Sequence, residues 1–242
     1  MVRFYEWMLN SRAPVTRAVL PEDDSTLIST RDLTPLPTIE GLLQRMQQMA
    51  ALESVFAIEY GESDFAFHPN WGRSEQMGAV KNGSGDELFA HFTPEGCCII
   101  GFAHESSMSP YRTDPPELWP GLLSSVPAEF QASLDEPAFD IASTTFVVWR
   151  LASGETWRTD NIEYPADSYG DGSTDLLSRL LLSAFDFAEW LEENYEVDVV
   201  GEVVTNVFEN QPLSAAQLSA LNPDAPIANL RKAVAETGYP LA

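Results

Sequence analysis

The chain has 242 residues, of which 44% are hydrophobic and 11% aromatic, and 37 acidic against 13 basic residues give it a formal net charge of −24. This composition excludes an intrinsically disordered chain, and the length fits one large domain with its own hydrophobic core. The negative charge excludes nucleic acid and anionic membranes as expected partners, because both would be repelled. No apolar run approaches the roughly 20 residues of a membrane-spanning helix, and no signal peptide is recognisable at the start. We therefore expect a soluble, cytoplasmic protein.

The chain order predicts an irregular N-terminal arm over residues 1–37, followed by a single α+β domain over residues 38–242. Four prolines interrupt the arm, and no hydrophobic period runs through it. Thr38 is placed to cap a long helix. Leu42, Met46 and Met49 recur in that segment at the spacing of one buried helical face.

Residues 65–104 predict an antiparallel meander, which forms the main part of the sheet. The segment "NGSG" at 82–85 is a strong hairpin signal because Asn and Gly tolerate positive φ, and "TPEG" at 93–96 gives the next turn. If the second turn is a four-residue loop, Phe92 lies opposite Cys97. Two further strands are expected within residues 144–159, across the "ASG" turn, and short helices over 118–124 and 127–134.

The last part of the chain, residues 173–242, is predicted to be helical. Leucine and aromatic residues repeat at helical spacing over 173–195, and the valines over 198–212 do the same. Ser214 and Gln217 have the spacing of a capping box, and Gly238 suits the end of the last helix.

The cysteine and histidine contents argue against a redox or metal centre. Cys97 and Cys98 are adjacent, so in a strand their side chains face opposite sides of the sheet and cannot bond to each other. The only three histidines are His68, His91 and His104, and they show none of the usual metal-ligand spacings. The sequence therefore predicts no metal site and no cofactor.

The predicted register brings two polar segments together at one edge of the meander, where the turn at 82–87 meets the strand end at 104–106. The candidate binding cluster formed in this way comprises Asn82, Ser84, Asp86, Glu87, His104, Glu105 and Ser106. One interpretation is a His–Asp pair beside a serine nucleophile or a bound ligand. The other is a hydrogen-bonded turn network. Because no G-x-S-x-G motif occurs, no catalytic residue is assigned.

The acidity is concentrated in the C-terminal part. Between Arg179 and Arg231 the chain has no basic residue but nine acidic ones: Asp186, Glu189, Glu192, Glu193, Glu196, Asp198, Glu202, Glu209 and Asp224. Such a surface accelerates association with a basic protein, although it also serves solubility alone. The candidate interface consists of Glu189, Glu192 and Glu193, together with Trp119, which a loop at "ELWPG" would expose as an aromatic anchor.

The chain carries four distinctive stretches: W-G-x-x-E-x-M at residues 71–77, N-G-S-G-D at 82–86, G-F-x-H-E-S-x-M-S-P at 101–110 and "NQPLSAAQLSALNPD" at 210–224. In these stretches it resembles a family of uncharacterised bacterial proteins. The resemblance runs from about residue 40 to the end and implies no known activity and no assigned site residues. A looser likeness, in size and acidity, is to the immunity proteins that accompany bacterial toxins.

Together these features favour a non-enzymatic, cytoplasmic protein that binds a basic protein, as an immunity factor does when it neutralises a basic toxin. The alternative is an enzyme or small-ligand binder that uses Asp86, Glu87, His104, Glu105 and Ser106. A purely structural module is a third interpretation.

Overall fold

The structure, a computed structural model, describes residues 28–61, 63–165 and 170–242 of the chain. It confirms the predicted α+β class, since one antiparallel sheet is preceded by a long helix and followed by a helical C-terminal part. Residues 1–27 of the predicted arm lie outside the described residues. Residues 28–37 are irregular, with an isolated bridge between Ser29 and Asp32, and they bury Ile28 and Leu36 in the core.

The sheet has six strands in the order of the chain, each antiparallel to its neighbour. The strands are β1 (Phe65–Gly72), β2 (Glu75–Lys81), β3 (Glu87–Thr93), β4 (Gly96–Phe102), β5 (Phe146–Leu151) and β6 (Arg158–Thr159). The predicted register is confirmed, because Phe92 lies opposite Cys97 and Glu87 lies opposite Phe102.

Seven α-helices occur among the described residues. They are α1 (Ile39–Tyr60), α2 (Gln131–Leu134), α3 (Ser173–Arg179), α4 (Ala184–Tyr195), α5 (Gly201–Phe208), α6 (Ala215–Leu221) and α7 (Ile227–Glu236). Thr38 caps α1 by accepting a hydrogen bond from the Gly41 N–H, and the predicted capping box of Ser214 and Gln217 begins α6. Both predicted helix N-termini are confirmed.

The sheet separates two hydrophobic cores. On the first side, which we call the helical side, α1 and the C-terminal helices pack on Phe67, Leu88 and Ile99. On the other, the loop side, the segment 103–145 crosses the sheet with Phe130 and Phe139 against Phe89.

The two cysteines show that the sheet is buried on both faces. Cys97 points into the core of the helical side and Cys98 into that of the loop side, so the predicted opposition of their side chains is confirmed. Burial raises the pKa of the Cys98 thiol to about 12 and also raises that of Cys97. Both thiols are therefore protonated and unreactive at neutral pH.

One predicted helix is absent, and one stretch predicted to be helical is divided between two helices. Residues 118–124 form turns instead of a helix, because Pro120 and the left-handed Gly121 (φ 84°) interrupt the segment. The residues at helical spacing over 173–195 form two helices, α3 and α4. Ser183 and Asp186 form a capping box that begins α4 anew, and the guanidinium of Arg45 donates to the carbonyl of Leu182 at the break. In contrast, residues 128–134 are helical as predicted, through a 3₁₀ turn that continues into α2.

Candidate functional site

Asp86 is the centre of the predicted polar cluster. One carboxylate oxygen accepts hydrogen bonds from the backbone N–H of His104 at 2.8 Å and from its Nδ1 at 2.7 Å. The other oxygen accepts from the side-chain amide of Asn82 at 2.7 Å. The Asn82 carbonyl in turn accepts from the backbone N–H groups of Ser84 and Asp86, at 2.9 and 3.2 Å. These bonds join the turn at 82–86 to the end of β4.

The remaining members of the predicted cluster lie around this group without completing a site. Glu87 forms an ion pair with Lys81 of the adjacent strand, at 3.2 Å. Glu105 is 81% exposed, and its carboxylate lies 3.8 Å from Nε2 of His104. The carboxylates of Asp86 and Glu87 thus have separate partners.

Ser106 belongs to a different network. Its hydroxyl donates to the carbonyl of Gly170 at 2.8 Å and accepts from the N–H of Met108 at 3.0 Å, so it does not face His104. Next to this contact, Gly172 adopts φ 76° against Ala103. Ser106 therefore fastens the segment after β4 to the start of α3.

The Ser106 network continues inward as a buried set of hydroxyls around one carboxylate. Asp171 accepts hydrogen bonds from the hydroxyls of Thr30 and Ser173, and Ser173 accepts from the backbone N–H of Thr30 at 3.0 Å. Tyr164 donates to the Thr30 hydroxyl at 3.1 Å. The side chains of Thr30, Asp171 and Ser173 are buried, and each has a hydrogen-bond partner, which is typical of an architectural network.

This geometry favours the turn network over a catalytic site. A serine nucleophile needs its hydroxyl within hydrogen-bond reach of a base, whereas the hydroxyl of Ser106 is occupied by backbone groups. A cleft at the same end of the sheet is lined by Glu87, Phe102 and Asp140, but it is too narrow to admit a water molecule. Within the described parts of the chain, no group of three or more His, Cys, Asp or Glu side chains could hold a metal ion.

A second histidine has a triad-like arrangement that the sequence did not indicate. Nδ1 of His91 lies 2.9 Å from the hydroxyl of Ser133, and Nε2 lies 3.6 Å from the carboxylate of Glu75. Burial lowers the pKa of His91, which keeps the imidazole neutral at pH 7. Ser133 is fully buried and His91 is 2% exposed, so no substrate reaches either group. The arrangement joins the loop-side segment to β3.

Glu53, a buried acid on α1, was not among the site residues predicted from the sequence. Glu53 is fully buried and accepts hydrogen bonds from the backbone N–H groups of Asp64 and Phe65, at 2.8 and 2.6 Å, and from the Tyr195 hydroxyl at 2.7 Å. Burial and the neighbouring Asp64 carboxylate outweigh these donors and raise the pKa of Glu53 to about 8. A signal was present in the sequence, because Glu53 lies four residues after Met49 and three before Phe56, on the buried stripe.

The acidic residues of the C-terminal part are all exposed. All nine carboxylates between Arg179 and Arg231 lie at the surface. Seven of them fall between Asp186 and Glu202, on α4, the following loop and the first turn of α5, and we call these seven the acidic surface. In the described part of the chain, Lys or Arg side chains form ion pairs only at Lys81–Glu87, Arg179–Asp64 and Lys232–Glu236. None of these pairs neutralises the acidic surface.

The acidic surface includes charges in an unfavourable position. Glu192 and Glu193 lie in the last turn of α4, which contains no basic residue. The partial negative charge at a helix C-terminus repels carboxylates, at a cost of about 0.3–1 kcal/mol each. The hydrogen bond of 3.1 Å that Glu192 accepts from the Val199 N–H offsets part of this repulsion. Glu193 has no such compensation among the described contacts.

Trp119 does not belong to the same surface. Its indole N–H donates to the carbonyl of Glu163 at 2.9 Å, and the guanidinium of Arg112 lies over its ring at 4.9 Å. Trp119 directly precedes the residues, such as Leu123 and Phe130, that pack on the loop side of the sheet. In contrast, α4 packs on the helical side. The exposed aromatic residue beside the acidic surface is instead Phe185, one turn before Glu189 and 69% exposed.

Comparisons of the chain with known proteins found no similar protein. No family model, curated protein or solved structure matches the chain. In the part of the chain that the structure describes, no helix has the length and apolarity needed to cross a membrane.

Proposed function

We propose that the protein is a cytoplasmic, non-enzymatic binding protein whose acidic surface docks a basic protein. The observation that carries this proposal is the seven exposed carboxylates within residues 186–202, which no described Lys or Arg neutralises. Potentials of this kind attract a complementary cationic surface and accelerate its docking.

The charge placement on α4 supports binding over mere solubility. Charges that serve only solubility can lie anywhere on a surface, including helix starts, where carboxylates are favourable. Glu193 lies at a helix end, where its charge destabilises the free protein. A cationic partner would convert this cost into an attraction.

Phe185 supplies an apolar contact at one end of the acidic surface. Phe185, Glu189 and Glu193 follow each other at intervals of four residues, so they lie along one face of α4. This row spans about 12 Å at 1.5 Å per residue. Aromatic side chains are enriched in protein interfaces, where they act as anchor residues.

The specific form of this function that we propose is immunity to a basic toxin. A toxin that acts on nucleic acid has a cationic active site, and a row of carboxylates is an electrostatic mimic of its substrate. The loose resemblance to bacterial immunity proteins points to the same class of partner.

The test is co-purification of the tagged protein from its source cells at low and at high salt. We expect a protein of high isoelectric point to be retained at low salt and released at high salt, because exposed charges are screened. Retention of acidic or neutral proteins only, or of none, would contradict the proposal.

A further inference from the structure

The loop side contains a cleft that is separate from the acidic surface. It has a volume of about 630 Å³ and is lined by residues that include Pro127, Trp149, Leu151, Glu155, Thr156 and Arg158. Sites for small molecules have volumes of about 300–1,000 Å³ and combine apolar walls with a few polar groups. The cleft has this size, and its lining combines three apolar residues, Pro127, Trp149 and Leu151, with a larger number of polar and charged ones.

The cleft results from the way the last hairpin opens. β5 and β6 pair at only two positions, Val148 with Thr159 and Trp149 with Arg158, and the chains then diverge around the turn. The guanidinium of Arg150 donates to the carbonyl of Gly154 at 3.1 Å and holds the turn in place.

The opposite wall of the cleft is also fixed. The buried carboxylate of Asp160 accepts a hydrogen bond of 2.6 Å from the backbone N–H of Ser125, which lines the cleft. Because both walls are held by hydrogen bonds within the protein, the cleft is open without a ligand.

Arg158 gives the cleft an available cation. Its guanidinium is exposed and forms no hydrogen bond or ion pair with another described residue. Arg179, in contrast, is paired with Asp64.

Glu155 places an anion in the same cleft. It is exposed, and no ion pair joins it to Arg158. Arg150 also lines the cleft, but its guanidinium already donates to the carbonyl of Gly154. Glu155 and Arg158 are opposite charges that do not pair with each other, and with Trp149 and Leu151 below them they are complementary to a molecule that carries both charges and an apolar group.

We propose that this cleft binds a small zwitterion with an apolar group, such as an aromatic α-amino acid. Arg158 pairs with the carboxylate and Glu155 with the ammonium group, while the ring lies against Trp149, Leu151 and Pro127. The site does not depend on the acidic surface, which lies on the helical side of the sheet.

The test is calorimetric titration of the full chain with L-phenylalanine, 3-phenylpropionate and phenethylamine, each up to millimolar concentration. We expect L-phenylalanine to bind more tightly than either compound with a single charge. Arg158→Gln should weaken its binding at least about tenfold, because the variant loses the charge-assisted pair with the carboxylate. Glu155→Gln should reduce the preference for L-phenylalanine over 3-phenylpropionate.

Arg73→Gln is the matched control, because it removes an exposed arginine in the turn between β1 and β2, outside the cleft. This variant should bind L-phenylalanine as the unmodified protein does. The proposal is overturned if none of the three compounds binds, or if Arg158→Gln and Arg73→Gln bind L-phenylalanine equally well.

Discussion

The hydroxyl of Tyr195 donates a hydrogen bond of 2.7 Å to the carboxylate of Glu53, and both side chains are buried. Tyr195 is the last residue of α4, and its ring also stacks on Phe56 with a centroid separation of 5.7 Å. The helix that carries most of the acidic surface is therefore anchored to α1 at its C-terminal end. The exposed carboxylates are held on a rigid element, which limits the entropy lost when a partner binds.

The titration of Glu53 should make stability depend on pH. In the unfolded chain Glu53 releases its proton near its ordinary pKa of 4.5, whereas in the folded chain the pKa is about 8. Between pH 4.5 and about 8, the folded state therefore binds one proton more than the unfolded state does. The stabilisation from this group is complete below pH 4.5 and is lost as the pH rises to about 8.

The measurement is urea unfolding of the unmodified protein and of Glu53→Gln between pH 5 and 8. The difference in unfolding free energy, unmodified minus variant, should fall by more than about 1.4 kcal/mol, the equivalent of one pKa unit. A difference that does not change with pH would show that Glu53 is not protonated in the folded state.

Gly172 should be essential for attaching α3 to the segment after β4. A Cβ atom at this residue would lie 2.1 Å from Cβ of Ala103, and the backbone has φ 76°. We expect Gly172→Ala to cost at least about 2 kcal/mol of unfolding free energy, from the clash and the left-handed backbone together.

Gly201→Ala is the control for this substitution. Gly201 is the first residue of α5, and a Cβ atom there would meet no other atom within 4 Å. This change should leave stability unaltered or raise it by up to about 1 kcal/mol. Equal losses in the two variants, measured by urea unfolding, would contradict the close packing at Gly172.

The cluster around Asp86 should affect stability and leave partner binding unchanged. Asp86→Ala leaves the donors of Asn82 and His104 without their acceptor, which should cost about 1–3 kcal/mol. His104→Ala should cost less than about 1 kcal/mol, because the side chain is 42% exposed and its backbone N–H still binds Asp86.

Both variants should retain the basic partner when co-purified below their unfolding temperatures. Loss of the partner from a folded Asp86→Ala protein would mean that the cluster is a binding site after all. Urea unfolding and a circular dichroism spectrum of each variant separate that outcome from simple unfolding.

Removing the Glu193 charge should stabilise the free protein. Glu193→Gln relieves repulsion from the C-terminal end of α4 and from Glu189, four residues earlier. We expect a gain of about 0.3–1 kcal/mol at low ionic strength, which decreases as salt is added. Glu117→Gln, in an exposed loop, is the control and should change stability little. A loss of stability in Glu193→Gln would indicate that this carboxylate has a structural role.

The strand pairing of the sheet was predictable because it is set by short turns, whose residues and length can be recognised in the sequence. Asn82 and Gly83 mark the turn between β2 and β3, and the length of "TPEG" then sets every pair between β3 and β4. From that register the meeting of Asp86 with His104 followed. The cap of α1 at Thr38 was equally local.

The remaining features depend on contacts that sequence patterns do not encode. Ser106 follows His104 by two residues, yet its hydroxyl binds Gly170, which is 64 residues away along the chain. The contact of His91 with Ser133 depends on how the segment 103–145 lies across the sheet. The break before α4 is different, because the Ser183–Asp186 capping box was visible in the sequence and indicates a helix start within the leucine-rich run.

The central claim, that the acidic surface is the binding site, is tested most directly by affinity measurements with the co-purified basic partner. The test variant combines Glu189→Gln, Glu193→Gln and Asp198→Asn, and it leaves Glu192 in place because its carboxylate binds Val199. The control variant combines Glu95→Gln, Glu117→Gln and Glu129→Gln, three exposed residues outside the acidic surface, so that both proteins lose the same charge. We predict that the test variant binds at least about tenfold more weakly, with a smaller salt dependence, while the control stays within about threefold of the unmodified protein. Equal weakening in both variants would show that only the net charge matters, and this result would contradict the assignment of the acidic surface.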